Sequence, residues 1–417
     1  MPKSNLIIGL DIGSSAIRMV AGEKIKGDDK IRIIGAVEGA AQGISKGVVS
    51  SAEDAISSVS SVSDKLERMT GQPIDHAWVG ISGAHIATTQ SRGIVAVSKV
   101  NGEIREEDVD RAIEASKAVA TPPNYEILHV IPKVFSVDSQ TGIKDPVGMT
   151  GIRLEVETQI IQGLAAQIKN LTNCVYRTGL DIDDLVFSIL ANAESVLTER
   201  QKELGVVVIN LGATTTSLAV YEEGELLASA VLPIGSEYIS KDIALGLRIS
   251  IDTAERIKVR EGSCLPQDFK KTDEVKYAEV GGVEEGSFNK KEVAEIIEAR
   301  VEEIMEKVDK ELKKIGKSAQ LPAGAVLTGG GAKLPGLVEA AKRILRLPAS
   351  LGYAQELVSS LDKVSDLSFT TAVGLVFWGS QLQDKGGLKF PLGGLGRFGS
   401  MAKAVSSIKN IFKSLLP

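Results

Sequence analysis

The chain has 417 residues, 43% hydrophobic, 24% charged and 4% aromatic, which excludes whole-chain disorder and a miniature scaffold and implies two to four domains at roughly 100 to 200 residues each. The formal charge is −6, but no acid follows Asp384 while Lys389, Arg397, Lys403, Lys409 and Lys413 add five cations, leaving −11 for residues 1–385; such asymmetry marks a tail with its own partner, and no nucleic-acid partner is expected. Two isolated cysteines, Cys174 and Cys264, exclude a disulfide framework and a zinc site, and no leader or run of ~18 apolar residues is found, so a cytosolic chain that is neither secreted nor integral is expected.

In chain order, residues 6–20 read as an apolar strand, a Gly/Ser turn after Asp11 and a second strand. Residues 51–70 carry Ile56, Val59, Val62, Leu66 and Met69 at helical spacing, closed by Gly71. Residues 77–163 change character: short strands around 78–82, 94–97, 125–136 and 154–161 surround a helix at 106–119, an inserted α+β module. Residues 206–221 then repeat the opening design, with Asn210, Gly212 and a Thr-rich turn. Aligning the two copies with one inserted residue gives a repeat about 200 residues apart and implies two related lobes facing each other.

Residues 240–320 form a helical insertion ending in a helix over 290–315, whose Val293, Ile296, Ile297, Ile304, Met305, Val308 and Leu312 make one core-facing stripe. A strand, the Gly329-Gly330-Gly331 run, a helix to Leu345 and an apolar helix over 368–382 follow. Six glycines among residues 386–399 mark a linker. Beyond it, residues 400–416 place Met401, Ala404, Val405, Ile408, Ile411, Phe412, Leu415 and Leu416 on one helical face, with Lys403, Lys409 and Lys413 off it. That is the pattern of an in-plane helix on an anionic membrane surface; docking on the chain's own body or a partner's groove is the other reading.

A strand ending in Asp-x-Gly-Ser-Ser sets backbone N–H groups and hydroxyls at a tight turn, where they donate to phosphate oxygens while the carboxylate holds Mg²⁺ directly or through water. One such turn alone reads equally as a bend in the chain. Two, on separate lobes, make a phosphate clamp. The three glycines let backbone approach a flat ligand, or simply relieve a strained turn. Glu255 and Lys258, spaced i,i+3 on one helical face, read equally as a surface ion pair.

Taken in order, Gly9-Leu-Asp-Ile-Gly-Ser-Ser15, the turn at 208–216, Ala254-Glu-Arg-Ile-Lys258, Leu327-Thr-Gly-Gly-Gly331 and Thr371-Ala-Val-Gly374 resemble the actin/Hsp70/sugar-kinase ATPase superfamily. Trp78-Val-Gly-Ile-Ser-Gly83, Pro233-Ile-Gly235 followed by Asp242-Ile-Ala, Glu255-Arg-Ile-Lys-Val-Arg-Glu-Gly262 and the terminal helix make the whole chain similar, within that superfamily, to the FtsA family of bacterial cell-division proteins. The resemblance implies an α/β, actin-like two-lobed ATPase fold with an inserted α+β subdomain (1C, SHS2-like) and a C-terminal amphipathic helix. Its divisions would be 1A over 1–81, 164–203 and 368–385; 1C over 82–163; 2A over 204–238 and 321–367; 2B over 239–320; a linker over 386–399; and the membrane helix over 400–417.

The resemblance also implies ATP with Mg²⁺ between the lobes. Asp11, Gly13, Ser14 and Ser15 would form the first phosphate turn, with Asp11 on the metal, and Asn210, Gly212, Thr214 and Thr215 the second, beside Gly235. Glu255 and Lys258 would meet ribose and adenine above a floor of Gly329, Gly330 and Gly331. Further implications are FtsZ's C-terminal peptide bound through 2B, assembly of the chain with itself into protofilaments, and other division proteins met through 1C. Attachment to the inner face of the cell membrane at the division site would use Arg397, Met401, Lys403, Val405, Ile408, Lys409, Ile411, Phe412, Lys413, Leu415 and Leu416. Two departures weaken hydrolysis and leave binding intact: Asn210 stands where many relatives carry Asp, and Ser188 where a water-polarising Glu or Gln is common. Slow or negligible ATP turnover is therefore expected. A PilM-like role in pilus assembly is the alternative, and a small-molecule kinase a more distant one.

Overall fold

The computed structural model describes residues 6–25, 30–99, 101–120, 122–355, 357–359 and 361–384. Two sheets form the hearts of two lobes. The first runs, in spatial order, Asp181–Phe187, His76–Ile81, Leu6–Ile12, Ala16–Lys24, Ile31–Ala40 and Leu357–Val358; the second runs Ala349–Leu351, Gly324–Thr328, Val206–Leu211, Thr216–Glu222 and Glu225–Leu232. In each, a hairpin strand pairs antiparallel with its successor and parallel with a strand reached by a long crossover. Val206–Leu211 and Gly324–Thr328 are almost wholly apolar, as parallel strands covered on both faces are, whereas the edge strand Asp181–Phe187 carries three acids.

The duplication therefore extends from the hairpin to the whole sheet, and it needs no inserted residue. Ile12 pairs with Ile17 and Asp11 with Arg18 in the first hairpin; Leu211 pairs with Thr216 and Asn210 with Ser217 in the second. Both turns close the same way, Gly13 N–H donating to Ala16 O at 3.1 Å and Gly212 N–H to Thr215 O at 3.0 Å. One extra residue would turn every following side chain to the opposite face, so register excludes it.

The Ala52–Thr70 helix begins after extended Ser51, buries Val59, Val62 and Leu66, and ends at Gly71 in the left-handed region, where glycine is unstrained. Across the other face of the first sheet lies the Thr370–Asp384 helix, at backbone contact: a Cβ on Gly9 would sit 2.2 Å from Ala372 O, and one on Gly374 only 1.8 Å from Ala191 O of the Ser188–Val196 helix.

The inserted module is a four-stranded antiparallel sheet, ordered Ile86–Ala96, Arg153–Leu164, Tyr125–Val137 and Gln140–Ile143. The Glu106–Ala120 helix covers it through Val109, Ala112, Ile113, Phe135, Leu154 and Val156. Two expectations change here. The segment around 78–82 is not part of this module: it is the His76–Ile81 strand of the first lobe, held by parallel pairing to Leu6–Ile12. The segment at 94–97 is the end of an eleven-residue strand, kept regular by pairing with Arg153–Leu164 along its full length.

The second insertion is not wholly helical. Besides Glu237–Leu247, Ile251–Glu261 and Lys290–Lys314 it contains a two-stranded ribbon, Glu274–Lys276 with Ser287–Asn289. In the long helix the expected stripe is buried, joined by Val301 and Asp309, while Ile296 is partly covered. All the residues assigned to membrane binding, Arg397 to Leu416, lie outside the described residues. Among the described residues no helix is long and apolar enough to cross a membrane.

Replacing Gly374 by Ala should cost at least 1 to 3 kcal/mol, the usual cost of overpacking, because backbone has to move away. Gly330, whose Cβ would meet nothing within 4 Å, should accept Ala with a change within about 0.5 kcal/mol. Chemical unfolding of both variants checks this; equal losses would contradict the packing argument.

Candidate functional site

The two hairpin turns face each other across the cleft. Thr214 donates its hydroxyl to Ser14 Oγ at 2.9 Å, one lobe to the other, and beneath them Ser82 and Ser217 share a hydroxyl contact at 3.3 Å. Ser15 is exposed at the first tip, and Ser14 also accepts from Gly47 N–H at 3.2 Å. Gly13 and Gly212 are needed because a Cβ on either would press on the carbonyl that closes its own turn, at 2.7 and 2.9 Å.

Asp11 lies at the end of the first strand, low in the cleft. Burial pushes its carboxyl up to about 6, against the partial opposition of Arg18. That cation is drawn away toward Glu38 at 3.4 Å and the Phe369 ring at 5.6 Å. Asp11 is thus a carboxyl whose charged form lacks sufficient compensation within the chain, a condition that a bound cation relieves. Asn210, its counterpart in the second lobe, donates from Nδ2 to Thr371 Oγ1 at 3.2 Å.

Behind the second turn, Gly235 packs where any Cβ would lie 2.6 Å from Ala213 O. Ser236 and Glu237 donate their N–H groups to the carbonyls of Gly212 and Ala213 at 2.9 and 2.8 Å. Lys258 is brought to the same place: its ammonium meets Glu255 at 2.6 Å, Ser240 Oγ at 2.9 Å and Ser236 O at 3.3 Å, and Ser240 also donates to Glu255. The i,i+3 pair is real, and it is anchored one residue from the second turn. The glycines divide by role: Gly329 at φ +86° and Gly331 pack on Asn210 and Leu211, whereas Gly330 faces open space. Beyond the carboxyl ends of the Gly324–Thr328 and Ala349–Leu351 strands opens a cavity of about 550 Å³ lined by Lys333, Leu334, Glu339, Leu351, Tyr353 and Asp366, the edge of an α/β sheet where ligands usually bind.

Sequence reasoning missed the neck below the cleft. Asn192, fully buried, donates to Thr370 Oγ1 at 2.8 Å and Thr371 Oγ1 at 3.3 Å, and accepts from Thr328 Oγ1 at 2.9 Å. The available signal was an amide among Ile189, Leu190, Ala191 and Ala193, since a buried amide is kept only where its hydrogen bonds are made. Ser188, 6% exposed, opens that helix, and its Oγ lies 2.9 Å from where a Cβ on Gly80 would stand.

Comparison with known proteins places this geometry among relatives. A family model described as "Cell division protein FtsA" matches residues 207–374, and one described as "SHS2 domain inserted in FTSA" matches residues 83–162. The chain is 35% identical over 381 residues to a cell division protein FtsA of Pseudomonas aeruginosa, covering 91% of each, and 38% identical over 376 residues to that of Bacillus subtilis, covering 90% of this chain and 84% of the relative. Among solved structures, a PilM-PilN type IV pilus biogenesis complex aligns with TM-score 0.65 at 16% identity, covering 91% of this chain and 99% of its own. MreB 5 of Spiroplasma citri bound to AMPPNP aligns with TM-score 0.52 at 13% identity, covering 92% and 98%. These two show that the fold is actin-like.

A carboxyl raised from 3.8 to about 6 holds its proton more tightly in the folded chain, so the fold loses stability as pH rises through this window. The full penalty, at most roughly 3 kcal/mol, is reached above pH 6. Without nucleotide or metal, Asp11→Asn should match the parent near pH 4 and exceed it in unfolding free energy by about 1 to 3 kcal/mol at pH 7. A difference that does not change with pH would remove burial as the cause.

Proposed function

Because the chain belongs to the FtsA family of cell division proteins, we propose that it is an ATP-binding assembly protein that tethers FtsZ filaments to the inner face of the cytoplasmic membrane and recruits the division machinery there. The single observation that carries the nucleotide part is the pair of matched turns, one per lobe, with Ser14 and Thr214 meeting at 2.9 Å. Asp11 would hold Mg²⁺, and the undercompensated carboxyl described above fits that task. Gly13, Ser14 and Ser15 on one side, and Gly212, Thr214 and Thr215 on the other, would donate to phosphates, with Gly235 keeping the second turn seated. Glu255 and Lys258 would meet ribose and adenine above Gly329, Gly330 and Gly331.

Bound Mg·ATP supplies a polyanion and its cation. What the chain does with them is hold and close. Donors from both turns draw the lobes together, and the amide of Asn210 and the hydroxyl of Ser188 are poor proton acceptors, so water is not activated efficiently. Nucleotide then acts as a closing and assembly signal, and turnover is slow.

Closed copies stack head to tail, and the array multiplies weak contacts made by each basic, amphipathic tail through avidity. Burying about six large apolar side chains, at ~1.5 to 3 kcal/mol each before the cost of ordering the segment, suffices for reversible attachment. Leu245, Ile251, Val259 and Val283 stand exposed on residues 239–320, which supports this region as the place where the FtsZ peptide docks. The inserted module is assigned to other division proteins. Identities of 35% and 38% to cell-division relatives favour this reading over a pilus-assembly role, which shares only the fold.

Removing residues 397–417 should release the protein from phosphatidylglycerol vesicles in co-sedimentation and leave ATP affinity unchanged; continued sedimentation would overturn the anchor. Asp11→Ala should weaken Mg²⁺-dependent ATP binding at least tenfold in equilibrium titration. Steady-state turnover near the ~10 s⁻¹ of an ordinary enzyme, lost in Asp11→Ala, would overturn the account of slow hydrolysis.

A further inference from the structure

Asn210 and Asn192 are the two amides at the base of the cleft, and their hydrogen bonds converge on one hydroxyl. Thr371 Oγ1 accepts from Asn210 Nδ2 at 3.2 Å and from Asn192 Nδ2 at 3.3 Å. Asn192 continues to Thr370 at 2.8 Å and, through its carbonyl, to Thr328 at 2.9 Å. Thr328 stands beside Asn210 in the parallel register of the second-lobe sheet. The group therefore crosses the neck twice, from the Ser188–Val196 and Thr370–Asp384 helices to two adjacent second-lobe strands. Asn192, Thr328, Thr370 and Thr371 are all at most 3% exposed, so the bonds among these four are not exchanged with water at low cost.

We propose that Asn210 is one half of an interlobe latch, and that Asn192 is the positioning residue that completes the latch through Thr371. The proposal deepens the nucleotide-site reading and rests on it. Asn210's Nδ2 donates to Thr371, and its Oδ1 lies beside Gly329, where a Cβ would come within 2.2 Å. A carboxylate at this position only accepts hydrogen bonds, so it has no N–H to give Thr371 and adds charge to a dry neck. The amide surrenders proton-accepting power and gains a neutral donor between lobes. Lobe closure is then partly built into the chain, and bound nucleotide adds to a latch that already exists.

The test uses the full chain carrying spin labels at Tyr176→Cys and Leu245→Cys, exposed positions on the two lobes, with Asn192→Ala, Asn210→Ala, their double variant, Thr371→Val and Thr371→Ser. Without nucleotide, the interlobe distance distribution should widen in all but Thr371→Ser, which keeps the hydroxyl. Affinity for a fluorescent ATP analogue with Mg²⁺ should fall about tenfold in each widened variant, the size of one buried hydrogen bond. The double variant should lose no more than about twofold beyond the weaker single, because both amides act through Thr371. Turnover at saturating ATP should change no more in Asn210→Ala than in Thr371→Val, since both lose the same contact. Lower turnover at saturation with unchanged distances, or distances unchanged in every variant, would overturn the latch. If the parent fails to bind the analogue, the nucleotide reading falls, while the distances still decide the latch.

Discussion

Everything in this molecule hangs from a neck where two helices touch backbone to backbone. Gly374 and Ala191 allow the Thr370–Asp384 and Ser188–Val196 helices to meet, and Gly9 seats the former on the first-lobe hairpin strand two residues before Asp11. Contacts this close admit no side chain, so the spacing of the two helices on the first lobe is set by steric exclusion. Inside that fixed spacing, the amide of Asn192 has to find partners, since leaving it unpaired in a dry interior costs about 1 to 3 kcal/mol. Close packing fixes the two helices on the first lobe, and the hydrogen bonds of Asn192 to Thr328 and of Asn210 to Thr371 join them to the second.

A second seam has different physics. Where the inserted module meets the second lobe, Thr88 and Ser229 share a hydroxyl contact at 3.0 Å and Lys144 donates to the carbonyl of Glu223 at 3.2 Å. These polar contacts, individually worth about 1 kcal/mol, sit beside apolar packing: Leu128 and Ile131 of the module lie against the same core as Leu226 and Val231 of the second lobe.

Charge divides the chain in the same spirit. The body carries −11 and is repelled by an anionic surface, while the five cations after residue 385 belong to a segment joined through a glycine-rich stretch. Buried charge within the body is handled locally: Lys202, 1% exposed, is flanked by Glu194 at 3.0 Å and Glu199 at 3.1 Å. Asp11 is the contrast. Its charge is left short of compensation, as is that of Asp184; what sets Asp11 apart is its place at the first hairpin turn.

Local pattern was enough to read the repeat, because a strand-turn-strand unit declares itself within fifteen residues. It was also enough for the helices at 52–70, 106–120 and 290–314, whose periodicity and caps are written in adjacent residues. It assigned the 78–82 segment to the wrong sheet, since a parallel strand's partner is set by a crossover of some seventy residues that no local window contains. The neck was invisible for the same reason: Asn192, Asn210, Thr328 and Thr371 come from four separate elements, and only folding shows that their polar atoms share one space. The sequence by itself determined the chemistry available at each turn, carboxylate on one lobe and amide on the other, because that is a property of side chains. Whether the amide faces a water or a threonine was decided by tertiary structure, because the direction of a hydrogen bond depends on what the fold places opposite it.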